Sequence, residues 1–366
     1  MESETRVLAR LVRRGVLPED VVRDLIERAQ EADDDEMGPA SLAIEEGLVD
    51  EEQMTLFLQT DGEEAPQLPK GLSYAGKLGE GGTAHVFRVN RRGSQPWAAK
   101  VLKPDFAENP SEVRAFLAEA KLLQRLDHPN VLRGFKSGRL DGWYVSFSQL
   151  LEGGTLQEHI GEEGALEEDL ALSVILQVSR ALEYLREHGV VHRDIKPGNI
   201  MLLEDDHAVL IDLGFAAEGG GEDEADETTR GTAAYLSPEQ ARGEGDLDVR
   251  SDIYSLGATL YQLVIGELPF TGDDEDLVRA AVLERLSAER TKGGGLSQYM
   301  HYFIEKMMAK DREHRYQDPA ELASDIEAHM EGRADLTSSE PSPEEEESER
   351  ARRRLDRLRR KRQRRQ

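Results

Sequence analysis

The sequence predicts an α+β chain: a small strand-rich part, then a larger helical part, with a short all-helical module ahead of them and a disordered charged tail behind. Three features carry this expectation. Between residues 72 and 149 short β-like runs recur: the segment after the glycine-rich Gly79–Gly82 turn, Trp97–Leu102, and the alternating Trp143–Gln149. Further on, apolar residues fall at helical spacing, first Val113, Phe116, Leu117, Ala120 and Leu123, then Leu170, Val174, Val178, Leu182 and Leu185. The ends differ in kind, since residues 1–60 contain an internal repeat and the chain after Gly332 is low-complexity.

Composition narrows the function classes. There is no cysteine among the 366 residues, so disulfides and thiolate metal sites are excluded. No run approaches eighteen apolar residues, and Met1-Glu2-Ser3-Glu4-Thr5 lacks the basic start and apolar core of a signal peptide. A cytoplasmic location is the resulting expectation. The formal charge of −28 disfavours nonspecific nucleic-acid binding by the chain as a whole. Its distribution is uneven: residues 350–366 hold eleven Lys or Arg against one Asp, a net +10, which leaves −38 on the remainder.

The repeat in residues 1–60 has a spacing of 32. Gly15-Val16-Leu17-Pro18-Glu19 aligns with Gly47-Leu48-Val49-Asp50-Glu51, and Leu25-Ile26 with Phe57-Leu58. Each copy reads as a helix stopped by glycine, a turn, and a second helix starting at Pro18 or capped by Asp50. The module resembles the helical N-terminal domain of type II secretion and pilus ATPases. Two readings stand side by side, a helical accessory segment without a ligand and a protein-docking module. Residues 61–71, with Gly62, Pro66 and Pro69, read as a linker.

The strand-rich part opens with Leu78-Gly79-Glu80-Gly81-Gly82-Thr83-Ala84-His85-Val86. Backbone amides approach phosphate oxygens closely only where side chains are absent, which accounts for Gly79 and Gly81. Lys100 follows on a strand among small and apolar neighbours, and Glu119 lies beside the apolar stripe of the next helix. A second amphipathic helix, Asp169–His188, is stopped by Gly189 and leads into His192-Arg193-Asp194-Ile195-Lys196-Pro197-Gly198-Asn199. Then Ile200–Leu203 and Ala208–Ile211, joined by four polar residues, read as a β-hairpin with Asp212-Leu213-Gly214 at its exit. A hairpin brings its ends together, so Asp194, Asn199 and Asp212 are expected to converge. Two carboxylates and an amide oxygen suit Mg²⁺ held together with phosphates.

This order of motifs resembles the eukaryotic-like (Hanks-type) Ser/Thr protein kinases, especially their bacterial branch, over residues 72–331. The resemblance implies a bilobal fold, a β-rich small lobe on a helical large lobe, and phosphoryl transfer from ATP to protein hydroxyls in signal transduction. It implies ATP and Mg²⁺, with Mn²⁺ as a substitute. It assigns Asp194 to accept the hydroxyl proton, Lys196 to sit beside the migrating phosphoryl group, and Asn199 and Asp212 to hold metal. Gly79, Glu80, Gly81, Gly82, Thr83 and Ala84 form the phosphate loop, with Ala84 standing where the pattern has a third glycine. Lys100 would hold the α- and β-phosphates, paired with Glu119. Leu78, Val86, Ala98 and Met201 would enclose adenine, the backbone of Gln149 and Leu151 would bond it, and Ser148 would be a small gatekeeper.

Gly231-Thr232-Ala233-Ala234-Tyr235-Leu236-Ser237-Pro238-Glu239 resembles the end of the family's activation segment. Thr232 would bond Asp194 and Lys196. Thr228 and Thr229 are the expected autophosphorylation sites, with Arg193 as phosphate partner; alternatively Glu224, Asp226 or Glu227 partly mimics the phosphate. Asp252 would bond the backbone of the central loop, and Arg315 would pair with Glu239. The competing reading is a pseudokinase scaffold, for which Ala84 is the support. The Arg-rich tail reads as solvated and disordered, as a site for an anionic partner, or as a lid on the acidic body. The resemblance also admits a homodimer in activation.

Overall fold

The computed structural model of the chain describes residues 7–9, 11–12, 17–31, 38–49, 65–66, 68–140, 142–214, 216–218, 233–284, 286 and 295–338. Near the N-terminus lie helices α1 (Glu19–Glu31) and α2 (Pro39–Glu45). Proline begins α2, where its missing N–H is no loss, and Gly47 ends it at φ 65°. The 32-residue repeat reappears in the backbone. The Leu17 N–H donates to the Leu11 carbonyl at 3.3 Å, and, displaced by 32, the Val49 N–H donates to that of Ala43 at 3.2 Å. Equivalent positions Leu8 and Ala40, Leu11 and Ala43, Leu17 and Val49 are all buried in one small core. Gly15, Asp50, Phe57 and Leu58 lie outside the described residues.

The small lobe is a five-stranded antiparallel sheet of β1 (Leu72–Glu80), β2 (Ala84–Arg91), β3 (Ser94–Leu102), β4 (Gly134–Leu140) and β5 (Trp143–Gln149), ordered β1-β2-β3-β5-β4. Cross-strand partners share a face. Phe87 opposite Ala99, and Val101 opposite Val145, belong to the face that carries the lobe's fully buried core. Val86 opposite Lys100, and Ala98 opposite Ser148, belong to the other face, which is half-exposed. A sheet whose second face stays half-open while the first is sealed has that second face available to something other than its own core. Two apolar residues of the expected 61–71 linker, Ala65 and Leu68, pack against the sealed core. The Tyr74 hydroxyl donates to the Pro66 carbonyl at 3.0 Å and fixes them there.

Helix α3 (Pro110–Arg125) lies between β3 and β4 in sequence, its start capped by the Asn109 side chain. The large lobe begins with β6 (Gly153–Thr155), α4 (Leu156–Glu163) and α5 (Glu168–Glu187). Thr155 caps α4 in a reciprocal box with Glu158. Strands β7 (Val190–Val191), β8 (Ile200–Leu203), β9 (Ala208–Leu210) and β10 (Ala217–Glu218) bracket the central loop. The expected hairpin is β8–β9, turned through Asp205 and Asp206 at positive φ, and β6 adds to it as a third strand. Beyond it come α6 (Pro238–Ala241), α7 (Val249–Ile265), α8 (Asp274–Leu283), α9 (Gln298–Met307) and α10 (Pro319–Ser338).

α7 is buried along nearly its whole length in the large-lobe core, which also holds Val174, Ile175, Val178 and Leu182 of α5. α10 runs to Ser338, past the expected domain end at 331 and into the stretch read as tail. A single Gly332 costs a helix only about 1 kcal/mol, and Ala334 and Leu336 are strong helix formers. Among the described residues no helix is long and apolar enough to cross a membrane.

Candidate active site

The central loop, residues 192–199, is held from beneath by α7. The N–H groups of His192 and Arg193 donate to the two carboxylate oxygens of Asp252 at 2.9 and 2.7 Å. Complete burial pushes the Asp252 carboxyl up to about 7, while the same two N–H groups and the Arg193 charge pull the other way. Arg193 adopts φ 68°, a left-handed conformation that an arginine keeps only where its surroundings impose it.

Within this frame Asp194 Oδ2 accepts from Lys196 Nζ at 2.7 Å and from Asn199 Nδ2 at 2.8 Å. The same amide nitrogen also donates to the Asp194 carbonyl at 2.8 Å. Asn199's two amide hydrogens are therefore committed, and Oδ1 is its remaining ligand atom. Asp194 Oδ1 is buried and meets no hydrogen-bond donor among the described residues. A buried carboxylate oxygen without a donor is costly unless a ligand supplies one.

The hairpin brings Asp212 alongside, since the Ile211 N–H donates to the Asn199 carbonyl at 3.1 Å. Asp212 Oδ1 accepts from the Gly214 N–H at 2.8 Å. From the small lobe, Lys100 Nζ reaches both oxygens of Glu119 on α3, at 3.0 and 2.9 Å. Lys100, Glu119 and Asp212 form one electrostatic group. Burial works against the lysine's charge, but Glu119 and Asp212 outweigh it and hold its pKa above the usual value. Burial, with Asp212 adding repulsion, raises Glu119. Asp212 is lowered although burial opposes it, chiefly by the Lys100 charge and the Gly214 N–H. The lysine's charge thus favours ionised Asp212 and leaves Glu119 the weaker acid.

Asp212 and Asn199 Oδ1 offer hard oxygen donors beside a cation that also attracts phosphate. Among the described residues no three His, Cys, Asp or Glu side chains gather as a self-sufficient cage. Two protein oxygens completed by phosphate and water fit Mg²⁺ better than any thiolate or imidazole metal.

The remaining expected residues distribute as follows. Gly79 and Glu80 end β1, Gly81, Gly82 and Thr83 form the turn, and Ala84 begins β2. A Cβ built on Gly79 or Gly82 meets no protein atom within 4 Å, so packing does not demand these glycines and the space above the loop is open. Ala84 is buried opposite Leu102. Glu80, lowered to about 2 by Lys103 and then Lys77, ties the loop to the end of β3 through Lys103 at 2.7 Å. The Lys103 N–H also donates to the Thr83 carbonyl at 2.9 Å. Lys77 and Lys103 were not legible as loop anchors, since each reads in sequence as an ordinary solvated lysine.

Val86, Ala98 and Met201 are half-buried and Leu78 is 49% exposed. The Gln149 N–H is committed to the Arg133 carbonyl at 2.9 Å, and the Gln149 carbonyl accepts a long bond from Ser148 Oγ at 3.4 Å, which leaves one of its two lone pairs for a ligand. The Leu151 N–H makes no hydrogen bond among the described residues. Thr232, Thr228 and Thr229 lie outside the described residues. Deeper in the large lobe Arg315 meets Glu239 in a two-pronged pair at 2.6 and 2.9 Å.

The protein kinase domain family matches residues 72–329, and the chain belongs to that family. A protein of Clostridium perfringens named probable serine/threonine-protein kinase is 34% identical over 74% of this chain and 39% of its own length. Serine/threonine-protein kinase PknB of Mycobacterium tuberculosis is 35% identical over 68% of this chain and 41% of its own. A probable serine/threonine-protein kinase of Streptomyces coelicolor is 35% identical over 70% and 39%. The chain thus spans about two fifths of the length of these curated relatives.

Proposed function

We propose that the chain is a Ser/Thr protein kinase of the bacterial Hanks type, transferring the γ-phosphoryl group of ATP to protein hydroxyls. The observation that carries this reading is Asp194: one oxygen is bonded by Lys196 and Asn199, and the other is buried with no donor among the described residues. A substrate hydroxyl is the donor that completes it. Asp194 Oδ1 orients that hydroxyl and takes its proton as the new P–O bond forms and ADP departs with the electrons of the broken bond. Lys196, already charged and 2.7 Å from Asp194, neutralises the transferring group.

Lys100, set by Glu119, holds the α- and β-phosphates. Gly79, Glu80, Gly81, Gly82, Thr83 and Ala84 cover the phosphates with backbone. Leu78, Val86, Ala98 and Met201 take the adenine ring, which the Gln149 carbonyl and the Leu151 N–H address by hydrogen bonds. Asn199 and Asp212 hold Mg²⁺, which when bound supplies charge neutralisation between the phosphates. Thr232 joins Asp194 and Lys196, and Thr228 and Thr229 receive autophosphorylation that pairs with Arg193.

The names of the relatives support Ser/Thr acceptors in bacterial signalling. The N-terminal repeat module, with its separate core, docks a protein partner, and the chain works in the cytoplasm. The decisive test follows phosphate from labelled ATP to the chain itself and to a generic basic protein, beside Asp194→Asn. Transfer by the wild type with a loss of about 10³-fold or more in the variant is expected. Equal transfer by both removes Asp194 from its assigned role, and none by the wild type leaves a nucleotide-binding scaffold.

A further inference from the structure

The left-handed turn at Arg193 is gripped from two sides. α7 holds the N–H groups of His192 and Arg193 through Asp252. The Arg193 carbonyl is held by a different element: Gln240 Nε2, on α6, donates to it at 2.8 Å. That carbonyl belongs to the peptide unit whose nitrogen is Asp194's own, so its direction sets the plane from which the Asp194 side chain departs. Gln240 is in turn fixed by a reciprocal capping box. The Ser237 N–H donates to Gln240 Oε1 at 3.1 Å, and the Gln240 N–H donates to Ser237 Oγ at 3.3 Å. Ser237 is fully buried, and its neighbour Glu239 is clamped by Arg315 and by Ser251 at 2.7 Å. One amide group therefore serves two elements. Its oxygen caps the helix that closes the 212–239 segment, and its nitrogen steadies the strained peptide of the central loop.

We propose that Gln240 is a positioning residue, through which the end of the activation segment fixes the peptide plane leading into Asp194. This rests on the reading of Asp194 as the group that accepts the hydroxyl proton. The bond depends on Ser237–Gln240 being folded as a capped helix, so the folding of these four residues reaches the central loop by a route that does not involve a phosphate. An apolar residue at 240 would leave the Arg193 carbonyl without this donor, and a residue unable to cap would release both ends.

Gln240→Glu separates the two duties. A carboxylate caps the helix as well as the amide does, but it offers no hydrogen to the Arg193 carbonyl and turns a lone pair toward it. Steady-state kinetics of the full chain, with thermal unfolding, are expected to show kcat down about tenfold. KM for ATP and the melting temperature should be unchanged. As pH falls toward the ordinary carboxyl range, the variant's acid gains a hydrogen, and its kcat relative to wild type should rise. Gln240→Ala, losing both bonds, should lower kcat and melting temperature together. Wild-type kcat in Gln240→Glu overturns the proposal, and so does a loss confined to KM or a loss that tracks melting temperature in both variants with no recovery at low pH. Asp194→Asn run in parallel keeps the failures apart. An inactive Asp194→Asn beside a normal Gln240→Glu sinks only this proposal, whereas an inactive wild type removes the kinase reading and this proposal with it.

Discussion

Two acidic residues in this molecule each meet a basic partner away from water, and they are built to opposite ends. Glu239 and Arg315, under the large lobe, have side chains 3% and 0% exposed. The guanidinium spends its other donors on the carbonyls of Ala309, Arg250 and Lys310, so no hydrogen is left to bargain with. Glu119 and Lys100, at the cleft, are 8% and 30% exposed, and the lysine is shared with Asp212. Burial alone would raise Glu239, but the Arg315 hydrogen bonds and charge, with Ser251, hold it at about 2. Glu119 is raised instead. One pair is locked ionised into the core. The other keeps a carboxyl that can take a proton and a lysine that can turn to another anion, which is what a phosphate-binding site requires.

The largest effect should come from breaking the locked pair. Arg315→Leu leaves Glu239 charged, buried and unpaired, and the expected cost is about 3–5 kcal/mol. At about 2–4 °C per kcal/mol for a domain of this size, differential scanning calorimetry should register a fall of roughly 10 °C. Adding Glu239→Leu should recover part of it. A melting temperature close to wild type would show the pair to be dispensable and collapse the contrast.

Lys100→Met is the matching experiment at the cleft. Glu119, already raised, can protonate when its partner goes, so the melting temperature should move by no more than a few degrees. If Lys100 holds the phosphates as proposed, transfer from ATP should fall by about 10²–10³-fold, measured as kcat/KM. A large stability loss with modest kinetic change would mean that this pair, too, is structural.

How far the sequence reached follows from how local each signal was. The hairpin and its flanking Asp194, Asn199 and Asp212 lie within nineteen residues, so turn chemistry and apolar runs were enough to bring them together. The meeting of Lys100 with Glu119 and that of Glu239 with Arg315 span chain separations that periodicity does not address; family resemblance carried them. Strand β6 was not legible, because Gly153 and Gly154 have no β propensity and the strand exists only through its pairing with β8. Ala65 and Leu68 sat in a stretch whose glycine and prolines read as linker, and their docking depends on an apolar core assembled from strands far along the chain, which no local pattern announces. The capping box of Ser237 and Gln240 was not read from the sequence, where Ser237 entered only as part of the likeness to an activation-segment end. The second half of Gln240's bonding, to Arg193 forty-seven residues away, had no signal in the chain.

Acid sharpens the contrast with a smaller effect. Glu239 has a folded pKa of about 2 against an ordinary 4.5, so the unfolded chain binds its proton first. Stability from this group is fully present above pH 4.5 and is lost as pH falls from there toward 2. Glu119 is raised, which gives the opposite sign: its contribution declines as pH rises through the carboxyl range. Urea unfolding between pH 5 and 3 should therefore show a slope that Glu239→Gln reduces. Glu119→Gln should leave that slope in place or steepen it. Equal slopes in wild type and Glu239→Gln would mean the carboxylate is not held ionised.

The smallest expected change in stability is at the glycine-rich turn, and its smallness is what makes it informative. Gly82 has a backbone outside the left-handed region, and an added Cβ meets no protein atom within 4 Å. Gly82→Ala therefore costs the fold nothing by contact. By restricting the unfolded chain it should shift stability by about 0.4–1 kcal/mol in the favourable direction. The locked pair has no such freedom, since every atom around Arg315 belongs to the protein. If the open space above the turn is where phosphates approach the backbone, the methyl group stands in their way, and KM for ATP should rise by about tenfold while the melting temperature holds or climbs. An unchanged KM would mean that ligand does not come within reach of this backbone, and the glycines would then need a reason other than the phosphates.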